Sequence, residues 1–280
     1  MSVIVTNPQI QKLIYYIENH LDDELQLDHL AKIAGYSPFH FCRIFKIYIG
    51  ESVIAYATRL KLERAARKIT FENMSMIEIA LDAGYKTPTG FIKAFKSRFG
   101  TTPTKYQQDQ YIHYNKYSKL DMKTPQIVTR EAVDVVFVRE LGGYEQSSTE
   151  AWKKLSLQLE SLSDTQLDLS EGEALGLCYD DPKVTDPLNL RYEAAHTWNK
   201  HDIAKLQAHG LETKSMSGGR YAKVKYIGIS QGEATWYGLY MWIEKSNYTF
   251  RDAPSFEKYL NGTCETNFEN LEVEVYVPIH

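Results

Sequence analysis

LDHLAKIAGYSPFHFCRIFKIYIGESVIAY (27–56) and MIEIALDAGYKTPTGFIKAFKSRFGTTPTKY (76–106) are two copies of one pattern. Leu30, Ala31, Ala34, Gly35 and Tyr36 recur as Ile79, Ala80, Ala83, Gly84 and Tyr85, a shift of 49. After one inserted residue, Arg43, Phe45, Lys46, Gly50 and Tyr56 recur as Lys93, Phe95, Lys96, Gly100 and Tyr106, a shift of 50. Each copy reads as helix, tight turn, helix. Ser75 and Glu78 have capping-box spacing ahead of the apolar stripe Ile79, Ala80, Ala83. Gly35 and Gly84 stand where the first helix ends, and glycine there adopts positive φ without steric cost. The second helices turn Phe41, Ile44 and Phe45, or Phe91, Ala94 and Phe95, inward at helical spacing. Between the copies, SVIAYATRLKLERAARKI (52–69) is a strong helix former with Arg59, Arg64, Arg67 and Lys68 on polar faces.

The outward residues of the second helices are Pro38, Phe39, His40, Cys42, Arg43 and Lys46, then Lys86, Thr87, Thr89, Gly90, Lys93 and Lys96. A helix-turn-helix inserts its second helix into the major groove, where base edges differ from pair to pair. Arg43 and Lys93 occupy equivalent places with reach for guanine, whereas Lys46 and Lys96, farther along, suit phosphate. The competing reading is a solvated helical repeat without a DNA partner.

Charge is distributed in the same sense. The net charge is -4, yet residues 1–110 hold 14 Lys+Arg against 11 Asp+Glu, while residues 122–280 hold 16 against 24. A polyanion would therefore meet the front of the chain. At 280 residues two domains are expected. The opening MSVIVTNPQIQKL lacks a secretory pattern and no apolar run spans a bilayer, so a cytoplasmic protein with no membrane partner is expected. Cys42, Cys178 and Cys264 form no metal clip or disulfide frame.

The order of these motifs, through the linker helix and the closing F-x-x-x-F-K-x-x-F-G and T-P-x-x-Y, resembles the AraC/XylS DNA-binding domain over about residues 8–108. The resemblance implies seven helices with two recognition helices entering successive major-groove segments, and Phe39, Cys42, Arg43, Thr89 and Lys93 as base contactors. Phe39 and Cys42 depart from the Trp and Gln frequent in that family, and a cysteine cannot read adenine bidentately.

Residues 111–121 (YIHYNKYSKLD) read as a linker between an all-α domain at 1–110 and an α+β domain at 122–280. In the latter, VDVVFVREL (133–141) and RYAKVKYI (220–227) are β-rich, each followed by a helical stretch. LEVEVYVPI (271–279) alternates, with Leu271, Val273, Val275, Val277 and Ile279 opposite Glu272, Glu274 and Tyr276. Ser147 with Glu150 and Ser230 with Glu233 repeat capping-box spacing shortly before Trp152 and Trp236. Two pseudo-symmetric strand–helix halves are expected.

ELGGYEQSSTEAW, EALGLCYDDP, LRYEAA, APSFEKYLNG and LEVEVYVPI together resemble the gyrase-inhibitor-like effector-binding domain, which also follows this DNA-binding module in Rob-type regulators. That resemblance implies an aromatic cleft holding an acidic residue, best matched by Glu257, with Glu274 second. Wall candidates are Tyr144, Tyr179, Tyr192, Trp236, Tyr240 and Tyr259; each could equally be core packing. A buried, unpartnered glutamate is costly, so Glu257 is either exposed or functional.

GISQG (228–232) fits the G-x-S-x-G of a nucleophile elbow, but Ser230 also fits a helix cap. His196 and His201 lack a further ligand at metal spacing, and no phosphate-binding glycine loop occurs, so neither metal nor cofactor is expected. The whole reads as a transcription regulator, an activator with RNA polymerase as partner, that binds double-stranded DNA and a small hydrophobic or cationic effector. The alternatives are a second domain that binds a protein or is only structural, and a hydrolase fused to a DNA reader.

Overall fold

The computed structural model describes residues 8–119, 124–162, 172–198, 203–262 and 268–280. The chain forms two compact units, Met1–Tyr111 and Ile112–His280. No helix among the described residues is long and apolar enough to cross a membrane.

The first unit is helical: α1 (Pro8–Asn19), α2 (Leu27–Ile33), α3 (Pro38–Ile49), α4 (Val53–Phe71), α5 (Met76–Asp82), α6 (Pro88–Phe99) and α7 (Pro103–Asn115). Local chemistry sets the boundaries. Ser37 and Thr87 cap α3 and α6, accepting from the backbone N–H of His40 and Gly90, and a proline follows each cap. Gly50 (φ 84°) and Gly100 (φ 73°) end the same two helices in the left-handed region. Ser75 and Glu78 form the expected capping box on α5. At both turns the chain folds back identically, the Tyr36 N–H donating to the Ala31 carbonyl and the Tyr85 N–H to that of Ala80, each at 2.9 Å. Phe41, Phe45, Phe91 and Phe95 are buried.

The cations of α4 differ from expectation. Arg59 pairs with Glu51 and Glu63, Arg64 with Asp22 and Asp82, and Lys68 with Asp82, and all three are largely covered. A 19-residue helix packed on several others has little free polar face, so its charges are neutralised internally.

The second unit is an eight-stranded antiparallel sheet built from two β-β-α-β-β halves. The first half is β1 (Gln126–Arg130), β2 (Val133–Leu141), α8 (Tyr144–Glu160), β3 (Ala174–Cys178) and β4 (Arg191–Trp198). The second follows a short α9 (Ile203–Ala208) and is β5 (Glu212–Met216), β6 (Gly219–Ile227), α10 (Gly232–Glu244), β7 (Ser255–Tyr259) and β8 (Glu272–Ile279). The strand order is β1-β6-β8-β7-β3-β4-β2-β5, so each half lends its first strand to the other. The halves join at β3–β7, where Gly176 lies opposite Glu257 and the register runs symmetrically to either side. Alternation puts Val136, Tyr192 and Ala194 in a core with α8, and Val224, Val273, Val275 and Val277 in a core with α10.

Two local expectations are corrected. Helix α8 begins at Tyr144 after Gly143, so Ser147 is inside it, buried, its hydroxyl donating back to the Gly142 carbonyl. Ser230 lies in a 3-10 turn, Ile229–Gln231, and α10 has no side-chain cap. Spacing alone does not make a cap; the serine must also hold extended backbone at the helix boundary, which neither does. In the expected linker, α7 runs to Asn115 and a 3-10 turn covers Lys116–Lys119, while residues 120 and 121 lie outside the described residues. The end of α7 from Ile112 belongs to the second unit, and within that unit Tyr114 is buried, its hydroxyl donating to Asp181 at 3.1 Å and its ring centred 4.7 Å from that of Tyr237.

Candidate DNA and effector sites

Helices α3 and α6 present matching surfaces. From Phe41 and from Phe91 the same ten-residue sequence of buried, half-buried and exposed positions runs to Gly50 and Gly100. Phe39, His40, Cys42, Arg43 and Lys46 are exposed on the first, and Lys86, Thr87, Thr89, Lys93 and Lys96 on and before the second. Phe39, at 77% exposure, is an apolar side chain held out in water at the start of α3. Neither helix carries an acidic residue, and Arg43, Lys46, Lys93 and Lys96 have no ion-pair partner among the described residues. These two helices thus carry unpaired positive charge, whereas Arg59, Arg64 and Lys68 of α4 are neutralised by ion pairs. Thr87 already accepts the Gly90 N–H, leaving its hydroxyl hydrogen to donate elsewhere.

In the second unit a hydrogen-bond chain runs across the seam between the halves. The Trp152 indole on α8 donates to the Tyr192 hydroxyl at 2.9 Å, and Tyr192 and Tyr259 share a hydrogen bond at 3.1 Å. Tyr259 donates to Glu257 Oε2 at 2.7 Å. The Tyr226 hydroxyl and the Trp236 indole both donate to Oε1, each at 2.9 Å. Burial first, and the Glu257 charge second, raise the Tyr226 and Tyr259 hydroxyls well above the ordinary phenol range, so both stay protonated donors. Glu257 itself is half-buried and, among the described residues, faces neutral donors and no cation. Such a carboxylate is held in place while its charge is left uncompensated.

The expected wall residues divide. Tyr192, Tyr259 and Trp236 belong to the chain around Glu257, and Tyr240 lies beside it on α10, its ring 6.0 Å from Trp236. Tyr144 is 6.1 Å from the Tyr192 ring, but its hydroxyl is committed to the Asp180 backbone, donating to the carbonyl at 2.6 Å and accepting from the N–H at 3.0 Å. Tyr179 and Glu274 lie on the opposite face of the sheet. Tyr179 donates to Glu193, whose strand neighbours Tyr192 and Ala194 point to the helices. Glu274 alternates with Val273 and Val275, pairs with Lys223 and accepts from Tyr276. The two-residue period makes one β8 position core and the next its reverse.

Three participants escaped the sequence reading: Tyr226, Trp152 and Gly176. A methyl group at Gly176 would lie 2.4 Å from the Tyr192 hydroxyl and 3.0 Å from that of Tyr259. The glycine is thus the space in which the two phenols meet, and a glycine inside a strand is the signal that could have shown it. Tyr226 shares the alternation of Ala222 and Val224, which places it on the helix face. Ser230 is exposed and has no hydrogen bond to a histidine or carboxylate among the described residues. His201 and Cys264 lie outside the described residues.

Residues 123–280 match the family described as a GyrI-like small molecule binding domain, and residues 30–109 match a helix-turn-helix domain. The transcriptional regulator Rob of Salmonella typhimurium is 26% identical over 304 residues, covering 96% of this chain and 97% of that protein. The HTH-type transcriptional activator AarP of Providencia stuartii is 31% identical over 98 residues, 35% of this chain and 73% of that protein. A solved structure described as a hydrolase from Listeria innocua is 10% identical with a TM-score of 0.42, covering 61% of this chain and 98% of that one. With more than half its length matched, the chain belongs to the GyrI-like small-molecule-binding family and, with its AraC-type helix-turn-helix module in front, is a DNA-binding transcription regulator.

Proposed function

We propose that this regulator is an activator working in the cytoplasm with RNA polymerase, that α3 and α6 read base edges, and that its effector is an apolar cation taken at Glu257. The observation that carries the reading is the state of Glu257: three neutral donors within 2.9 Å fix the carboxylate, and no cation among the described residues balances it. A flat or quaternary cation supplies that balance and packs on indole and phenol faces. A neutral ligand gains only the packing. For DNA, Arg43 and Lys93 are the base readers, with Phe39, Cys42 and Thr89 beside them, and Lys46 and Lys96 meet phosphate. A hydrolytic role has less support, since Ser230 is exposed and has no base within hydrogen-bond reach among the described residues.

The test is a titration of the full chain with a matched pair, a quaternary-ammonium dye and its neutral isostere, followed by tryptophan fluorescence. The cation should quench at micromolar concentration and change affinity for a duplex selected from a random pool. Equal binding of both members would remove the cation reading; a bound cation with unchanged DNA affinity would remove it as the effector. Absence of any binding would favour a protein ligand for the second domain.

A further inference from the structure

The charges within the DNA-binding module form a continuous chain from one recognition helix to the other. Glu51 stands one residue past the Gly50 cap of α3. It accepts from Arg59 Nε at 2.9 Å. Arg59 Nη1 donates to Glu63 Oε2 at 3.2 Å, and Arg98 Nη2, in the last turn of α6, donates to Glu63 Oε1 at 2.8 Å. Glu63 is only 6% exposed, and one carboxylate oxygen is committed to each arginine. We infer that Glu51, Arg59, Glu63 and Arg98 are positioning residues that set the spacing and angle between the two recognition helices, and so set which separation of two DNA segments this chain accepts.

Cost and geometry both support this. A buried Arg–Glu–Arg arrangement gives little net stability, because desolvating three charges offsets their attraction. What it does supply is direction, since a planar guanidinium and a carboxylate oxygen meet well only over a narrow range of orientation. Arg98 is nine residues from Thr89, roughly 14 Å along α6 at 1.5 Å per residue. A tilt of about 10° about the Arg98 end therefore displaces the reading end by roughly 2 Å, enough to lose a direct base hydrogen bond. The α6 side of the strut is a single arginine, so cutting it there frees the angle while Glu63 keeps Arg59. Apolar contacts of α6, Phe91 with Tyr85 and Phe95 and Phe99 with Tyr106, persist in that variant and keep the helix folded.

This rests on the reading that both helices engage DNA, and the experiment separates the two. A duplex selected from a random pool by the wild-type chain is compared with versions carrying one base pair inserted between, or deleted from between, the two protected segments. Each step moves the segments about 3.4 Å apart and rotates them about 35°. The wild type should lose about tenfold or more in affinity on each altered duplex. Arg98→Met should bind the selected duplex more weakly and the altered ones nearly as well, so the ratio falls toward one. The triple change Arg59→Met, Glu63→Leu, Arg98→Met replaces the charges by apolar bulk; it should keep its thermal midpoint and show the same collapsed ratio. A wild type indifferent to spacing would overturn the two-helix reading itself. A spacing-sensitive wild type with equally sensitive folded variants would overturn the strut, as would an Arg98→Met loss that is uniform across spacings, which marks a phosphate contact. Arg98→Lys, keeping charge without the fork, should fall between the two.

Discussion

Both units are duplications, and they have kept different things. In the helix-turn-helix unit the copies match position by position: Gly35 and Gly84 have φ of 71° and 82°, Gly50 and Gly100 of 84° and 73°, and the buried phenylalanines coincide. The outer surface differs more, Phe39 and Cys42 standing against Thr89 and Ile92, with smaller changes inside such as Ile44 against Ala94. In the sheet unit the halves share architecture and exchange first strands, but the seam is asymmetric, with Glu257 on one side of the symmetry and Gly176 on the other. On the proposed reading, the duplicated DNA reader uses its copies twice with different side chains. The proposed effector site lies instead at the axis of the sheet unit, where two carboxylates would repel and one is given room by a glycine.

That contrast is broken most directly at the axis. Glu257→Gln keeps the shape and removes the charge. It should weaken a cationic ligand by about 1.5–3 kcal/mol, tenfold to over a hundredfold, and leave a neutral isostere within a factor of about two. Paired titrations check this; equal losses would make Glu257 a structural residue. Gly176→Ala tests the other side. With the new Cβ 2.4 Å from the Tyr192 hydroxyl, the phenol pair must separate, which should cost about 1–3 kcal/mol of stability by denaturant midpoint. The Trp236 fluorescence response to ligand should weaken as well, because a displaced Tyr259 holds Glu257 less firmly. An unchanged midpoint would mean that the Tyr192–Tyr259 contact is dispensable.

The DNA reader should behave additively instead. Arg43→Ala and Lys93→Ala are each expected to reduce affinity for the selected duplex by about 1–3 kcal/mol and to relax base preference at separate positions. Lys46→Ala should weaken all sequences alike and reduce the salt slope by about one unit. Competition binding at two salt concentrations decides this. If both losses fall on one segment of the site, the two copies are not reading separate segments.

How much of this was legible follows range of interaction. The helix-turn-helix unit is written locally: Gly35, Gly84, the Ser75–Glu78 box and the paired phenylalanines act within a few residues of themselves, and all appear where the repeat put them. The strand–helix halves were legible from their alternation. The chain around Glu257 was not, since Trp152, Tyr192, Gly176 and Tyr226 reach it only through the pairing of β3 with β7 and the packing of α8 and α10 on one face. Glu257 was visible only through family resemblance. Glu274 was misplaced although the alternation of β8 already set it opposite the valines. The cations of α4 were misread because helix periodicity says nothing about which neighbour covers a polar face.

The smallest expected effect separates a local signal that formed from one that did not. Ser75 and Ser230 have the same S-x-x-E spacing. Ser75 has extended backbone at the start of α5 and accepts the Glu78 N–H at 3.2 Å, while Glu78 accepts the Ser75 N–H at 2.7 Å. The Ser75 backbone N–H first, and its hydroxyl second, hold the Glu78 carboxyl below the usual carboxylate range. Ser230 sits in a 3-10 turn after Gly228, whose φ of 81° turns the chain before α10, and Glu233 accepts from Tyr117 at 2.8 Å instead. Ser75→Ala should therefore cost about 1 kcal/mol, and Ser230→Ala, at an exposed position without a cap, less than about 0.5 kcal/mol. Parallel urea melts of the full chain, followed by far-ultraviolet circular dichroism, resolve that difference. A Ser230 cost equal to that of Ser75 would mean that α10 starts earlier in solution, with the serine as its cap. Hydrolysis of a simple ester that disappears in Ser230→Ala would instead restore the nucleophile reading, and with it a catalytic role for the second domain.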